Sequence, residues 1–166
     1  MYQVLQLVVY GVHGVCRILE LEVRMVDHKP VSYYVLEPLA QPGTRYYLPS
    51  HNETAMAKIR PLTDKGRLQE MLQDDTLCAP WIPAENQRKQ SYRQLLTNID
   101  VAALISMLRC VDTYRQSQAL AGRKLHICDE NFLRDAKRVL ASEVSVVLQM
   151  DPLEMNDLLF GNVACT

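Results

Sequence analysis

The chain has one tryptophan, Trp81, and none of its five cysteines, at positions 16, 78, 110, 128 and 165, forms a Cys-x-x-Cys pair. No apolar run approaches the roughly 18–20 residues that a membrane-spanning helix needs. There is no low-complexity block and no internal repeat. The first residues lack the basic region, apolar core and small-residue cleavage site of a signal peptide. An odd number of widely spaced cysteines suits a reduced, cytoplasmic chain better than a disulfide framework. What remains is ordinary globular composition, 48 % hydrophobic and 22 % charged over 166 residues, enough for one domain or two small ones.

The net charge of −1 is unevenly spread. Residues 70–80 carry three acids and no base, residues 81–138 carry ten bases and six acids, and residues 139–166 carry four acids and no base. The positive block begins at the tryptophan. A segment of net +4 is too weak to signal nucleic acid by itself, since it is more often only a solvated helical face.

Up to residue 62 the pattern is that of strands. Residues 5–10 form a first apolar run, and Gly11 and Gly14 supply a turn. Leu19, Leu21, Val23 and Met25 then alternate with Glu20, Glu22, Arg24 and Val26, the period of a half-buried strand. Asp27 to Pro30 is a turn, Val31 to Leu36 a strand, Arg45 to Leu48 a shorter one, and Lys58 to Leu62 a final edge strand whose Pro61 is tolerated there. Such short strands joined by tight turns imply a small antiparallel sheet or barrel.

The period then changes to that of helices. Asp64 to Gln73 places Leu68, Met71 and Leu72 on one face. Pro83 is suited to a first helical position, ahead of Tyr92, Leu95 and Leu96. Asp100 caps a helix with the stripe Val101, Leu104, Ile105, Leu108 and Val111. Asp129 opens a long helix with Phe132, Leu133, Ala136, Val139, Leu140, Val144, Val147 and Leu148, and Pro152 starts a short terminal one. Glu143 falls within the long stripe, where a carboxylate needs a partner, and Arg109 is the candidate. The expected class is α+β in two domains: a β domain over 1–62, a connecting helix and Trp-bearing linker over 63–83, and an all-α domain over 84–166.

Catalytic patterns are missing. His13 has no neighbouring Ser, Cys or carboxylate to make a nucleophile–base pair. Gly11-Val12-His13-Gly14 lacks the Gly-Lys-Ser/Thr ending of a phosphate loop. His126 and Cys128 are two apart, but further ligands do not follow at zinc spacing. No metal, cofactor or enzymatic activity is expected. Trp81 lies in Ala79-Pro80-Trp81-Ile82-Pro83, where the prolines enforce an extended backbone. The indole either plugs the joint between two layers or is presented to a partner, as tryptophan is at binding hot spots and as apolar wedges are in bent DNA.

Val8-Val9-Tyr10-Gly11-Val12-His13-Gly14-Val15, continuing through Ser32-Tyr33-Tyr34-Val35-Leu36 to Tyr47-Leu48-Pro49, resembles the RNA polymerase-interacting domain of the bacterial CarD/CdnL family. That small Tudor-like barrel also occurs in the transcription-repair coupling factor Mfd. The second half is similar to the CarD helical domain in Trp81, Arg88, Tyr92, Gly122-Arg123-Lys124-Leu125, and Asp129-Glu130-Asn131-Phe132-Leu133 running to Leu140 and Glu143. The likeness spans roughly residues 2–150.

The resemblance implies a monomeric transcription regulator. Its barrel would pair an edge strand with the polymerase β subunit, and its helical domain would reach promoter DNA at the upstream edge of the bubble, largely without reading sequence. Trp81 would wedge into the minor groove there. Arg24 matches a polymerase-contacting arginine. A second such arginine aligns with Tyr47, and Arg45, two residues earlier on the same strand face, stands in for it. The DNA-facing candidates are Arg88, Lys89, Arg93, Arg109, Arg115, Arg123 and Lys124. The competing reading is an interaction module whose helices serve another protein, with Trp81 only packed.

Overall fold

In the structure, a computed structural model that describes residues 1–161 and 165, the chain divides into two units, Met1–Leu62 and Thr63–Thr166. The first is a five-stranded antiparallel sheet. The run Leu7–Tyr10 forms β1, and Gly11 and Gly14, at φ +45° and +71°, carry the chain back into β2, Val15–Val26. Asp27 and His28 both take positive φ, the two-residue turn that matches strand twist, and lead into β3, Lys29–Pro38. The strand β4 spans Tyr46–Pro49, a four-residue helix α1 spans Glu53–Met56 with Asn52 capping the Ala55 amide, and β5 is Ile59–Pro61. The order is β4-β3-β2-β1-β5, so β4 and β5 are the edges.

One sheet face builds the core of this unit, from Val8, Cys16, Ile18, Tyr34, Leu36, Leu48 and Ile59. Burial pushes the Cys16 thiol up to about 12, which marks it as an inert packing residue. A bulge between Ile18 and Glu20 shifts the alternation by one, so that Leu21 opposes Tyr34 and continues the core face. The expected burial of Leu21, Val23 and Met25 fails all the same. They are 50 %, 60 % and 68 % exposed. The cause is length: β1 pairs with β2 only as far as Arg17, and β4 pairs with β3 only from Leu36 to Tyr33. Beyond that point β2 and β3 form a two-stranded ribbon whose apolar side is not covered by a further strand of this sheet.

The second unit is helical: α2 Lys65–Gln73, α3 Glu85–Asn98, α4 Val101–Leu120, α5 Ile127–Leu148 and α6 Pro152–Phe160. Asp64, Asp100 and Asp151 cap α2, α4 and α6 by accepting first-turn amides. The apolar stripes of α2, α4 and α5 meet in one core, with Met155 and Leu159 of α6. Residues 63–83 belong to this core, since Leu68, Met71 and Leu72 lie within it. The long helix begins earlier than Asp129: His126 caps it through the Cys128 amide, and Asp129 sits one turn inside, fully buried. No helix among the described residues is long and apolar enough to cross a membrane.

Two buried charges define how the helices are joined. Arg109, at the middle of α4, is 1 % exposed and donates only to main-chain carbonyls. Its Nε reaches Leu159 at 2.8 Å, and its Nη atoms reach Leu72 and Asp74 at the end of α2 and Leu158 near the end of α6. Helix ends leave carbonyls without intrahelical partners and carry partial negative charge. One guanidinium fork satisfies both ends. Burial pulls its pKa down, and Asp75 and Asp74 counter this. Arg109 is therefore neither the partner of Glu143 nor a DNA-facing base. Glu143, 1 % exposed, accepts the Thr63 amide at 2.7 Å.

Candidate functional site

On the sheet unit, the residues expected to face polymerase gather at the β4 edge. The Arg24 guanidinium lies 3.8 Å from the centre of the Tyr47 ring. It also forks onto Glu22, with Nε and Nη2 at 2.8 and 3.3 Å from the two carboxylate oxygens. That hydrogen bond holds the Glu22 carboxyl below the usual carboxylate range and raises Arg24. Arg45, just before β4, lies 4.0 Å from Glu20. Register explains the grouping: Tyr47 and Glu20 both oppose Val35. An edge strand offers backbone N–H and C=O groups to an incoming strand, and here it is flanked by an exposed cation held in position by a ring. His13, in the turn after β1, stacks on Tyr46 at 4.1 Å and on Tyr10 at 5.0 Å, a packing role.

Residues 2–62 match the family model described as CarD-like/TRCF RID domain. The chain carries a CarD-like/TRCF RID domain. This RID unit is an RNA polymerase-interacting module, and the match ends where the sheet unit ends. No curated protein matches the chain.

Outside the RID, Trp81 is half-buried and packed against the helical core. Its ring stacks on Tyr114 of α4, 3.6 Å between centroids and 13° between planes. The Arg88 guanidinium lies 4.5 Å from the indole centroid. Arg88 in turn forks onto Asp129 of α5, with Nε and Nη2 at 3.0 and 3.2 Å from its oxygens. Its Nη1 donates to the Ile82 and Pro83 carbonyls, and Tyr92 donates to Asp129 at 2.6 Å. Tyr92 then stacks on Phe132 at 4.1 Å. The spacing Arg88 to Tyr92, one helical turn, puts both groups on the face that meets Asp129. That spacing was the available signal for the cluster; the identity of the third partner was not in it.

The DNA-facing expectation needs correction at two positions. Arg88 is 7 % exposed and committed to Asp129, and Arg109 is buried under two helix ends. Neither can reach a phosphate. Lys89 is exposed along one side but ion-paired with Glu85, and Arg115 with Asp112. Arg93, Arg123 and Lys124 are exposed and make no ion pair among the described residues. The helical unit as a whole has twelve Lys/Arg and fourteen Asp/Glu, net −2.

Two features escaped the sequence. Cys78 and Cys165 form a disulfide, with 5.6 Å between Cα atoms, which corrects the expectation of a fully reduced chain. Their separation of 87 residues carries no recognisable motif. The structure also brings Glu85 to His126 and Cys128, the three donor atoms lying within 4.8 Å of one another. His126 Nδ1 is engaged as the α5 cap, its Nε2 faces Glu85 at 3.7 Å, and Glu85 pairs with Lys89.

Burial, then the Asp129 hydrogen bond, pushes the Tyr92 phenol pKa up. A raised folded pKa stabilises fully below the unfolded value near 10 and loses that contribution as pH rises further. The wild type is therefore expected to lose stability above about pH 10 more steeply than Tyr92→Phe, compared by chemical unfolding across that range.

Proposed function

We propose that this protein is a non-enzymatic transcription regulator that docks on the β subunit of RNA polymerase through its RID unit and acts on the promoter open complex through its helical unit. The observation that carries it is the RID match over the sheet unit, together with Arg24 of β2 held over Tyr47 of the edge strand β4. A strand of the polymerase adds to β4 by main-chain hydrogen bonds, and Arg24, held over Tyr47, supplies the charged contact beside it. Binding of purified polymerase tests this. Arg24→Glu is expected to weaken it by about 2 kcal/mol, roughly thirtyfold, and Tyr47→Ala by less, with thermal stability unchanged in both. Equal binding by wild type and Arg24→Glu would remove the proposed surface.

In the open complex, Arg93, Arg123 and Lys124 meet upstream phosphates while Trp81 wedges at the bubble edge. About three phosphate contacts give a salt slope near −2.7, so fourfold more salt costs about fortyfold in affinity. Such contacts are too weak for free duplex, but tethering supplies roughly millimolar effective concentration. The wedge has an internal cost. Trp81 must exchange its Tyr114 and Arg88 contacts, each worth about 0.5–1.5 kcal/mol, for a base. Already distorted DNA lowers the unstacking cost, so the net gain at the bubble is about 1 kcal/mol, or fivefold in lifetime.

A second reading rests on that same packing. The Tyr114 stack, the Arg88 contact and the net charge of −2 favour a helical unit that serves another protein, with Trp81 kept in its core. Salt-independent activity on promoters would select it.

A further inference from the structure

Helices α3 and α5 begin side by side, and three unlike donors meet where they do. Glu85 is the first residue of α3, His126 is the N-cap of α5, and Cys128 lies in its first turn. The carboxylate, imidazole and thiol donor atoms all lie within 4.8 Å of one another. The imidazole stands between the other two: its Nδ1 is 3.1 Å from Cys128 Sγ, and its Nε2 is 3.7 Å from Glu85 Oε2. The Glu85 oxygens are divided, because Lys89 pairs with Oε1 and leaves Oε2 turned to the imidazole. Cys128 is also the one free cysteine among the described residues that is not buried. Spacing along the sequence hid this set, since its third donor comes from another helix.

We propose that Glu85, His126 and Cys128 form a zinc(II) site that clips the start of α3 to the start of α5. Thiolate, imidazole and carboxylate together suit zinc, whereas calcium and magnesium take oxygen donors. The carboxylate and the thiolate carry two negative charges, which balance the ion. Zinc holds such donors at about 2.0–2.3 Å, so around a tetrahedral ion they lie about 3.3–3.8 Å apart. The trio therefore has to close by about 1 Å, which a turn of the half-exposed Glu85 side chain supplies. His126 is exposed, and water takes the fourth position. Lys89 stays on Oε1 as the outer partner that orients the carboxylate.

Binding displaces two things. Burial and then Asp129 push the Cys128 thiol pKa up in the free protein, so the ion replaces that proton, which goes to water as the S–Zn bond forms. A neutral imidazole has one nitrogen lone pair, which the Cys128 amide uses in the α5 cap. Zinc takes that lone pair, and the amide turns to water, at a cost of roughly tenfold in affinity. The clip then braces the same joint as the buried Arg88–Asp129 pair, from the solvent side.

Cobalt(II) and zinc(II) alone are the probes, on the full-length protein with its disulfide intact, in oxygen-free buffer without thiols, polymerase or DNA. One equivalent of cobalt at micromolar concentration is expected to give a near-ultraviolet thiolate-to-metal charge-transfer band with the visible bands of a tetrahedral ion, and zinc should displace it. Cys128→Ser should abolish the band. Glu85→Gln and His126→Asn should weaken zinc binding at least tenfold, and asparagine still caps α5. In wild type, zinc should slow alkylation of Cys128, located by peptide mapping, at least tenfold, which decides the matter if a variant does not fold. A band that needs millimolar cobalt, a band that Cys128→Ser retains, or a Cys128 that zinc leaves unprotected overturns the proposal. Zinc affinity unchanged in both Glu85→Gln and His126→Asn overturns it as well.

Discussion

Asp129→Ala is expected to destabilise the helical unit by about 3–5 kcal/mol, lowering its melting temperature by about 15–25 °C. Asp129 is fully buried and is the acceptor for both the Arg88 fork and the Tyr92 hydroxyl. Removing it leaves a guanidinium in the interior with only the Ile82 and Pro83 carbonyls, and a phenol with no acceptor. The loss is therefore mainly the cost of an uncompensated charge, not the worth of the pair. A double variant makes the distinction. Arg88→Met with Asp129→Leu removes both charges, and it should lose clearly less than Asp129→Ala alone. Arg88 also holds the linker beside Trp81, so the double variant should shift the indole emission. Calorimetry of the three proteins, with fluorescence, checks both statements.

The second large effect is expected at Arg109. Arg109→Met keeps much of the side-chain volume but strips donors from carbonyls at the ends of α2 and α6. Each buried carbonyl left without a partner costs about 1–3 kcal/mol, so a loss of about 3–5 kcal/mol follows even if water reaches some of them. Arg109→Lys tests the geometry rather than the charge. An ammonium cannot span two helix ends as a planar fork does, and about half of the loss should remain. Hydrogen exchange should show the deprotection concentrated in α2 and α6. Deprotection spread evenly over the unit would mean that Arg109 only fills space.

The α4 stripe was fully legible: Val101, Leu104, Ile105, Leu108 and Val111 are all buried, as their spacing requires, whereas Leu95, Leu96, Val147 and Leu148 at the ends of their stripes are only partly buried. Asp100 as a cap and the glycine turn after β1 were legible as well. Periodicity gives the face of an element, however, and not the extent of what covers it. Leu21, Val23 and Met25 keep their face and lose their cover, because their neighbouring strands are shorter than β2. Charge was misread for a related reason. A basic residue in a helix is exposed by default, and nothing local shows that α2 and α6 end beside Arg109 or that Asp129 lies opposite Arg88. The same holds for Cys78 and Cys165, which meet only after the helices have packed. Arg24, Tyr47 and Arg45 were named through the family resemblance; strand alternation by itself placed only Arg24 on the polar face, and the register adds that Tyr47 and Glu20 share Val35 as neighbour.

Open-complex lifetime tests most directly whether the polymerase-docked protein acts on the promoter bubble. Polymerase from the same source would be used on a promoter whose bubble collapses quickly, with heparin challenge at fixed salt. Wild type is expected to extend the lifetime about fivefold, in keeping with about 1 kcal/mol of differential binding. The extension should be lost with Trp81→Ala and with Arg24→Glu, and only the latter should fail to bind polymerase. Wild type that binds polymerase and leaves the lifetime unchanged would contradict the account and leave the helical unit to a protein partner.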